Sequence, residues 1–165
     1  MTLKIVFLDI DGVLVTARTL KGRSGLRAVA DPSCVKALNH ITDTTGSKLV
    51  ISSAWRFCGL EEMRLILKHW GVTGEVIDIT PDLTRKVLGV YSAVPRGHEI
   101  REWIHGETEA PDAWVILDDD ADMDGYEDRL VRTVFEKGLT MDHAGLAIEL
   151  LNRHAIKMPS GGGAE

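Results

Sequence analysis

The chain has 165 residues, which corresponds to about one domain with a single hydrophobic core. Its 44% hydrophobic and 27% charged residues are typical of soluble globular proteins, and the net charge of −6 argues against a basic surface that grips duplex nucleic acid. No stretch approaches the ~20 apolar residues that span a bilayer, and Asp9 interrupts the first apolar run before it could form a signal-peptide core. We therefore expect a cytoplasmic protein.

Short apolar runs alternate along the chain with amphipathic segments of helix length. Runs this short suit strands covered on both faces, as in a parallel sheet. In chain order, the predicted strands are Ile5–Leu8, Leu49–Ile51, Val76–Ile79, Trp114–Leu117 and Leu130–Val134. Alternation of strands and helices predicts an open α/β sheet with right-handed crossovers.

Four helices are predicted between and after these strands. The first begins at Pro32 with Asp31 as its N-cap. The second carries apolar residues at helical spacing from Leu60 and stops at Gly71. The third lies around Ile100, and the last begins after a Thr140 cap. We expect residues 1–158 to form the domain and residues 159–165, with three glycines, to be a disordered tail.

Polar side chains stand at the ends of three predicted strands. Strand one ends in Asp9 and Asp11, the second ends in Ser52 and Ser53, and the fourth ends in consecutive aspartates beginning at Asp118. Ligands of open parallel sheets sit beyond the carboxyl ends of the strands, so these groups are expected at one edge. Core packing alone does not require this coincidence.

Clustered carboxylates in a cleft repel one another unless a counterion is present. All-oxygen ligation favours a hard divalent cation, Mg²⁺ in preference to Zn²⁺, and Mg²⁺ characteristically shares a substrate phosphate. An aspartate beside such a cation can act as a nucleophile toward phosphorus. A second carboxylate two residues on could protonate the leaving oxygen and then activate water. The sequence therefore predicts a metal and phosphoryl site.

The segment DIDGVLV resembles the first signature of the haloacid dehalogenase-like (HAD) superfamily, and SSAWR, PRGHEI and VILDD follow in the order of the other signatures. This resemblance implies a Rossmann-like open parallel sheet of about five strands, in the order 5-4-1-2-3, flanked by helices. It covers residues 4 to about 152. DxDGxL alone would occur by chance, whereas the four segments together at these spacings are specific.

The resemblance also implies roles for individual residues. Asp9 would be the nucleophile and Asp11 the general acid/base, and both would bind Mg²⁺, Asp11 through its backbone carbonyl. Either Ser52 or Ser53 would bind the phosphoryl group, and Arg96 would steady its charge. Asp118 would be a metal ligand, supported by Asp119 or Asp122. Arg56 either contacts the substrate phosphate or is an ordinary surface arginine.

The group that the chain resembles most is the small phosphatase-like modules found alone or attached to RNA-repair proteins. Only about 35 residues separate the first two signatures, so we expect a capless domain with an open site. That form suggests a phosphorylated nucleotide or a nucleic-acid end as substrate. The basic segment Thr16–Ala30 could flank the mouth of the site or be a solvated loop. It has no acid and contains four basic residues, Arg18, Lys21, Arg23 and Arg27.

Parts of the sequence also match other patterns, but less well than the chain matches a Mg²⁺-dependent phosphatase. Asp120, Asp122, Asp124 and Gly125 match an EF-hand loop, but its twelfth position is Val131 in place of the required glutamate. A receiver domain would need its aspartate after the third strand and a lysine after the fifth, where the sequence offers poor substitutes. A catalytically idle binding module of the same fold and a phosphatase of small molecules stay as alternatives.

Overall fold

A computed structural model of the protein describes residues 2–21 and 27–153. Two short 3₁₀ helices, Ala54–Cys58 and Glu127–Arg129, accompany the regular elements. In chain order these elements are β1 (Lys4–Leu8), α1 (Ala17–Leu20), α2 (Pro32–Thr45), β2 (Lys48–Ile51), α3 (Leu60–His69), β3 (Val76–Ile79), β4 (Arg85–Val87), β5 (Val90–Ser92), α4 (Arg96–Gly106), β6 (Ala113–Asp118), β7 (Leu130–Arg132) and α5 (Met141–Arg153).

The centre of the fold is a five-stranded sheet in the order β3-β2-β1-β6-β7, in which every pair of neighbours is parallel. Strands β4 and β5 form a separate antiparallel hairpin. Since the hairpin strands are numbered β4 and β5, the fourth and fifth predicted strands of the sheet correspond to β6 and β7. The predicted α/β fold with a parallel sheet flanked by helices is confirmed.

Each face of the sheet carries its own apolar cluster, because successive side chains of a strand point to opposite faces. Val6 and Leu8 of β1 belong to the larger cluster, which includes buried residues of α2, α3 and α5. Ile5 and Phe7 belong to the smaller cluster with α4, where the Phe7 ring lies 5.4 Å from the Trp103 ring, edge to face. Both faces are thus covered, as the continuous apolar runs predicted.

The helix ends follow the predicted capping residues. The Asp31 side chain accepts a hydrogen bond from the Ser33 N–H at 3.0 Å, with Pro32 at the first helical position of α2. The Thr140 hydroxyl accepts from the His143 N–H at 3.3 Å at the start of α5. Helix α3 ends at His69, just before the predicted stop at Gly71. Local capping chemistry therefore fixes where α2 and α5 begin.

Two elements were not predicted, the short helix α1 and the β4–β5 hairpin. The hairpin turns at Leu88 and Gly89, whose φ angles of 51° and 81° are both positive, as a two-residue turn of type I′ requires. The strand β7 ends at Arg132, earlier than the predicted end at Val134. Val134 instead accepts backbone hydrogen bonds from residues 137 and 138 and so begins a turn.

The expected disordered tail, residues 159–165, lies outside the described residues, so it stays a prediction, as does the domain boundary at residue 158. Across residues 2–21 and 27–153, none of the helices combines the length and the apolar character that crossing a membrane requires.

Candidate active site

Three neighbouring strands bring polar residues to one edge of the sheet. Strand β1 lies between β2 and β6 and is parallel to both. Asp9 follows β1, Ser52 follows β2, and Asp118 is the last residue of β6. The Asp9 N–H donates to Leu117 O at 3.0 Å and the Ser52 N–H donates to Leu8 O at 2.9 Å. These hydrogen bonds between neighbouring strands hold Asp9, Ser52 and Asp118 side by side at the carboxyl ends of the strands.

The side chains of Asp9, Asp118 and Asp119 form a carboxylate cluster, in which one oxygen of each lies within 4.8 Å of the others. Asp9 is 7% exposed and Asp118 is 1% exposed. Burial, and then the charge of Asp9, raises the pKa of Asp118. Burial also raises the pKa of Asp9 and of Asp119. Three acids in this arrangement are costly to ionise together without a cation.

One oxygen of this cluster lacks a partner. Asp118 Oδ1 accepts from the Asp120 N–H at 2.9 Å. Asp118 Oδ2 is buried and has no hydrogen-bond donor among the residues that the structure describes, and Arg96 Nε lies 3.8 Å from it. Buried carboxylate oxygens are almost always satisfied. The orphaned oxygen and the all-oxygen donor set fit a hard divalent cation such as Mg²⁺.

Gly12 allows the loop after β1 to lie directly against Asp119. Its φ is +75°, and a Cβ at this position would lie 2.2 Å from Asp119 Oδ2. The buried Thr133 hydroxyl donates to Gly12 O at 2.6 Å and fixes the loop from the other side. The glycine of DIDG is therefore needed for both its backbone conformation and the absence of a side chain.

Asp11 is not one of the three acids of the carboxylate cluster, although its charge contributes to the raised pKa of Asp119. It is exposed, and its Oδ2 accepts a hydrogen bond from Trp55 Nε1 at 3.0 Å. Trp55 is itself buried in the 3₁₀ helix that follows β2. A carboxylate that is open to solvent and oriented by a rigid indole is suited to proton transfer.

The two serines after β2 have different surroundings. The Ser53 hydroxyl lies beside Asp9, where its hydrogen-bonding effect lowers the pKa that burial raises. It also accepts a hydrogen bond from the Trp55 N–H at 3.3 Å. The Ser52 hydroxyl is fully buried and has no hydrogen-bond partner within the described part of the chain. The structure therefore brings Ser53, and not Ser52, into contact with Asp9.

Arg96 is the first residue of α4 and lies at the cluster. Its Nε is 3.8 Å from Asp118 Oδ2, and its charge lowers the raised pKa values of both Asp9 and Asp118. Its Nη1 donates to Glu99 Oε2 at 3.3 Å. The predicted cation is thus next to the predicted nucleophile, where it can oppose the charge of a transferring phosphoryl group.

Arg56 is held by Glu99 in a two-pronged ion pair. Arg56 Nη1 and Nη2 donate to the two Glu99 oxygens at 2.9 and 2.7 Å, and Nη2 lies 3.4 Å from Asp82 Oδ1. Arg56 supplies the shorter bonds to Glu99, while Arg96 faces both Glu99, through Nη1, and the carboxylate cluster, through Nε. Arg56 lines the site, but carboxylates already engage its guanidinium, and a contact with the substrate phosphate stays a prediction.

A cavity of about 250 Å³ contains the carboxylate cluster. Arg56, Arg96 and Glu99 line it. Thr84, Ala93 and Val94, which flank the β4–β5 hairpin in sequence, also line it. Asp122 also lines the cavity, but within residues 2–21 and 27–153 the third member of the cluster is Asp119.

The basic segment is not brought to this cavity where the structure describes it. Arg18 pairs with Asp31 at 2.8 Å and donates to Lys137 O at 3.3 Å, and it lines a different cavity beside the start of α2. Arg23 lies outside the described residues. The position of Arg18 therefore gives no support to a role at the mouth of the site.

Sequence reasoning missed two residues of the site, Glu99 and Trp55. A glutamate in the first turn of a helix is ordinarily explained by the helix dipole, and its spacing of three from Arg96 was the one available signal. Trp55 stands between Ser53 and Arg56, where an aromatic residue is readily assigned to packing. Their contacts with Arg56 and Asp11 arise only when separate segments meet in the fold.

Comparison with known proteins identifies a matching family. The model of a family described as the HAD domain in Swiss Army Knife RNA repair proteins matches residues 5–144, from β1 into α5. All the segments that form the cavity lie within the match. No protein with a curated description and no solved structure matches the chain.

Proposed function

Because the chain belongs to the family of HAD domains in Swiss Army Knife RNA repair proteins, we propose that it is a Mg²⁺-dependent phosphomonoesterase that removes a terminal phosphate from a nucleotide or polynucleotide. The observation that carries this proposal is the cluster of Asp9, Asp118 and Asp119, in which Asp9 and Asp118 are buried and one Asp118 oxygen has no hydrogen-bond partner among the described residues. A cluster of this kind suits a cation shared with a phosphate.

In this proposal Asp9 is the nucleophile. A carboxylate oxygen of Asp9 forms a bond to phosphorus while the bond from phosphorus to the leaving oxygen breaks, which gives an aspartyl-phosphate. The Ser53 hydroxyl binds a phosphoryl oxygen, and Arg96 opposes the charge that develops on the group in transfer. The contact of Ser53 with Asp9 supports this assignment.

Asp11 transfers the protons. It donates one to the leaving oxygen, and it then takes one from the water that attacks the aspartyl-phosphate. That second attack releases inorganic phosphate and restores the Asp9 carboxylate. The hydrogen bond from Trp55 Nε1 orients Asp11 through both steps.

The oxygens of Asp9, Asp118 and Asp119 would hold the cation, together with the backbone carbonyl of Asp11, as the family resemblance implies. Mg²⁺ bound there supplies positive charge that neutralises the acids and stabilises the phosphoryl group during transfer. A cytoplasmic location stays a prediction from the sequence.

The first experiment measures phosphate release from a generic aryl phosphate with Mg²⁺ and with EDTA. We expect release that requires Mg²⁺ and is abolished by Asp9→Asn. Asp43→Asn on the exposed side of α2 is the matched control and should behave as wild type. Equal release by the wild type and Asp9→Asn would refute the nucleophile assignment, and no release by the wild type would favour the idle binding module.

A substrate panel then tests the choice of substrate class. It compares 3′-phosphorylated oligonucleotides, mononucleotides, a phosphopeptide and sugar phosphates at equal concentration. We expect the highest kcat/KM for nucleotides or oligonucleotide ends. A preference for sugar phosphates would instead identify a phosphatase of small molecules.

A further inference from the structure

A second cavity, of about 570 Å³, adjoins the acidic one. Ala54, Arg56 and Thr84 line both cavities, so the larger one begins where the catalytic one ends. Its remaining wall includes Phe57 of the 3₁₀ helix and Pro81 of the segment between β3 and the hairpin. We call this second cavity the side groove, and its volume lies in the range of small-molecule sites.

Phe57 leaves an aromatic ring exposed at the side groove. It is 73% exposed, although Trp55 in the same 3₁₀ helix is buried. Single exposed apolar residues are ordinary on protein surfaces. Leu65, 62% exposed on α3, is of that ordinary kind because it lines neither cavity, whereas Phe57 lines a cavity that continues from the catalytic one.

The charges around the side groove favour an uncharged occupant. Asp78 and Asp82 line it, and Asp78 Oδ2 accepts a hydrogen bond from Trp103 Nε1 at 2.7 Å. Arg56, the one cation among its lining residues, is engaged by Glu99 and Asp82. A second phosphate would be repelled here. An aromatic group with amino donors would meet a ring face and carboxylate acceptors.

We propose that the side groove binds the nucleoside of the leaving group, with its base against the Phe57 ring, while the phosphate occupies the acidic cavity. This inference rests on the proposed function and names the part of the substrate that the site recognises. Every nucleobase offers a face for stacking, so stacking on Phe57 favours nucleotides over sugar phosphates without selecting one base.

The test compares substrates that differ only in the base. Adenosine 5′-monophosphate and ribose 5-phosphate carry the same phosphomonoester. Adenosine 3′-monophosphate is compared with ribose 5-phosphate in the same way, as a nucleotide with its phosphate at the 3′ position. We expect Phe57→Ala to lower the ratio of kcat/KM for the nucleotide to that for ribose 5-phosphate by about tenfold, equivalent to about 1.4 kcal/mol. Phe57→Tyr, which keeps the ring, and Leu65→Ala, the matched exposed control, should keep the wild-type ratio.

An unchanged ratio in Phe57→Ala would overturn the inference while the proposed function stands. If the wild type hydrolyses neither these substrates nor a 3′-phosphorylated oligonucleotide, the proposed function fails, and binding then decides the inference separately. Calorimetric titration of adenosine 5′-monophosphate and of ribose 5-phosphate into the Asp9→Asn protein should show tighter binding of the nucleotide. The inference is supported if this difference in affinity is present in the Asp9→Asn protein and lost in the Asp9→Asn/Phe57→Ala protein. It is overturned if the difference persists in the double variant or is absent from the Asp9→Asn protein.

Discussion

Replacing Arg56 with alanine would remove the main counterion of a buried carboxylate. The Glu99 side chain is 4% exposed and that of Arg56 is 12% exposed. Both terminal nitrogens of Arg56 bond to Glu99, at 2.9 and 2.7 Å. After the substitution, the donors that still face Glu99 in the described chain are Arg96 Nη1 at 3.3 Å and the Leu83 N–H at 3.2 Å.

The magnitude follows from this geometry. Breaking a buried ion pair by removing one partner costs about 3–5 kcal/mol. Because Arg96 and the Leu83 N–H compensate part of the Glu99 charge, we expect the lower end, a loss of about 3 kcal/mol in the free energy of unfolding. For a domain of this size that corresponds to a fall in Tm of about 6–12 °C. Urea denaturation should show a lower midpoint with an unchanged slope.

Arg153→Ala is the matched control, because its ion pair with Glu149 is exposed and should contribute no more than about 0.5 kcal/mol. Combining Arg56→Ala with Glu99→Gln should restore part of the lost stability, since the buried charge is then absent. If Arg56→Ala came within about 0.5 kcal/mol of the control, the reasoning on the buried pair would be refuted.

Three further predictions concern the site. Burial and the charge of Asp9 raise the pKa of Asp118 from 3.8 to about 8, so the metal-free folded protein binds a proton that the unfolded chain releases. The contribution of Asp118 to stability is thus fully present below about pH 3.8 and is lost as the pH rises through about 8. In EDTA, the stability of the Asp118→Asn protein relative to the wild type, measured by denaturation midpoints, should therefore increase as the pH rises through that range. Gly12→Ala should lower the free energy of unfolding by at least about 1–2 kcal/mol, because its left-handed backbone and the 2.2 Å approach to Asp119 tolerate no Cβ; denaturation in EDTA measures this. Trp55→Phe removes the donor that orients Asp11 and should lower kcat about tenfold with little change in KM, measured on the aryl phosphate.

A different outcome would contradict each of these three predictions. A pH-independent difference between Asp118→Asn and the wild type would show that burial does not shift this carboxyl. Wild-type stability of Gly12→Ala would mean that the loop and Asp119 separate without cost. An unchanged kcat in Trp55→Phe would show that the indole does not position the proton donor.

Much of the fold was predictable because buried strands of a parallel sheet need apolar side chains on both faces. The runs at Ile5–Leu8 and Leu49–Ile51 therefore stand out from the sequence, and the cap at Asp31 marks where α2 begins. The hairpin was not predictable in the same way. Its strands have three residues each, and its turn uses Leu88, a residue that seldom adopts positive φ, in place of the usual asparagine or aspartate.

The residues of the site also differ in how far the sequence predicts their positions. Acids that directly follow a strand are positioned by the strand itself, so the meeting of Asp9 and Asp118 could be expected from the sheet alone. Ser52 and Ser53 are adjacent, and which one contacts Asp9 depends on how the chain turns after β2. Glu99 contacts Arg56 across two segments that lie 43 residues apart, and no local pattern signals that contact.

The central claim is that acids from β1 and β6 together hold one hard cation. Calorimetric titration of Mg²⁺ into the metal-free protein at neutral pH tests it directly, with the Asp118→Asn and Asp43→Asn proteins titrated alongside. We predict one binding site in the wild type and in Asp43→Asn, and its loss in Asp118→Asn. Absence of Mg²⁺ binding to the wild type, or undiminished binding to Asp118→Asn, would contradict the claim.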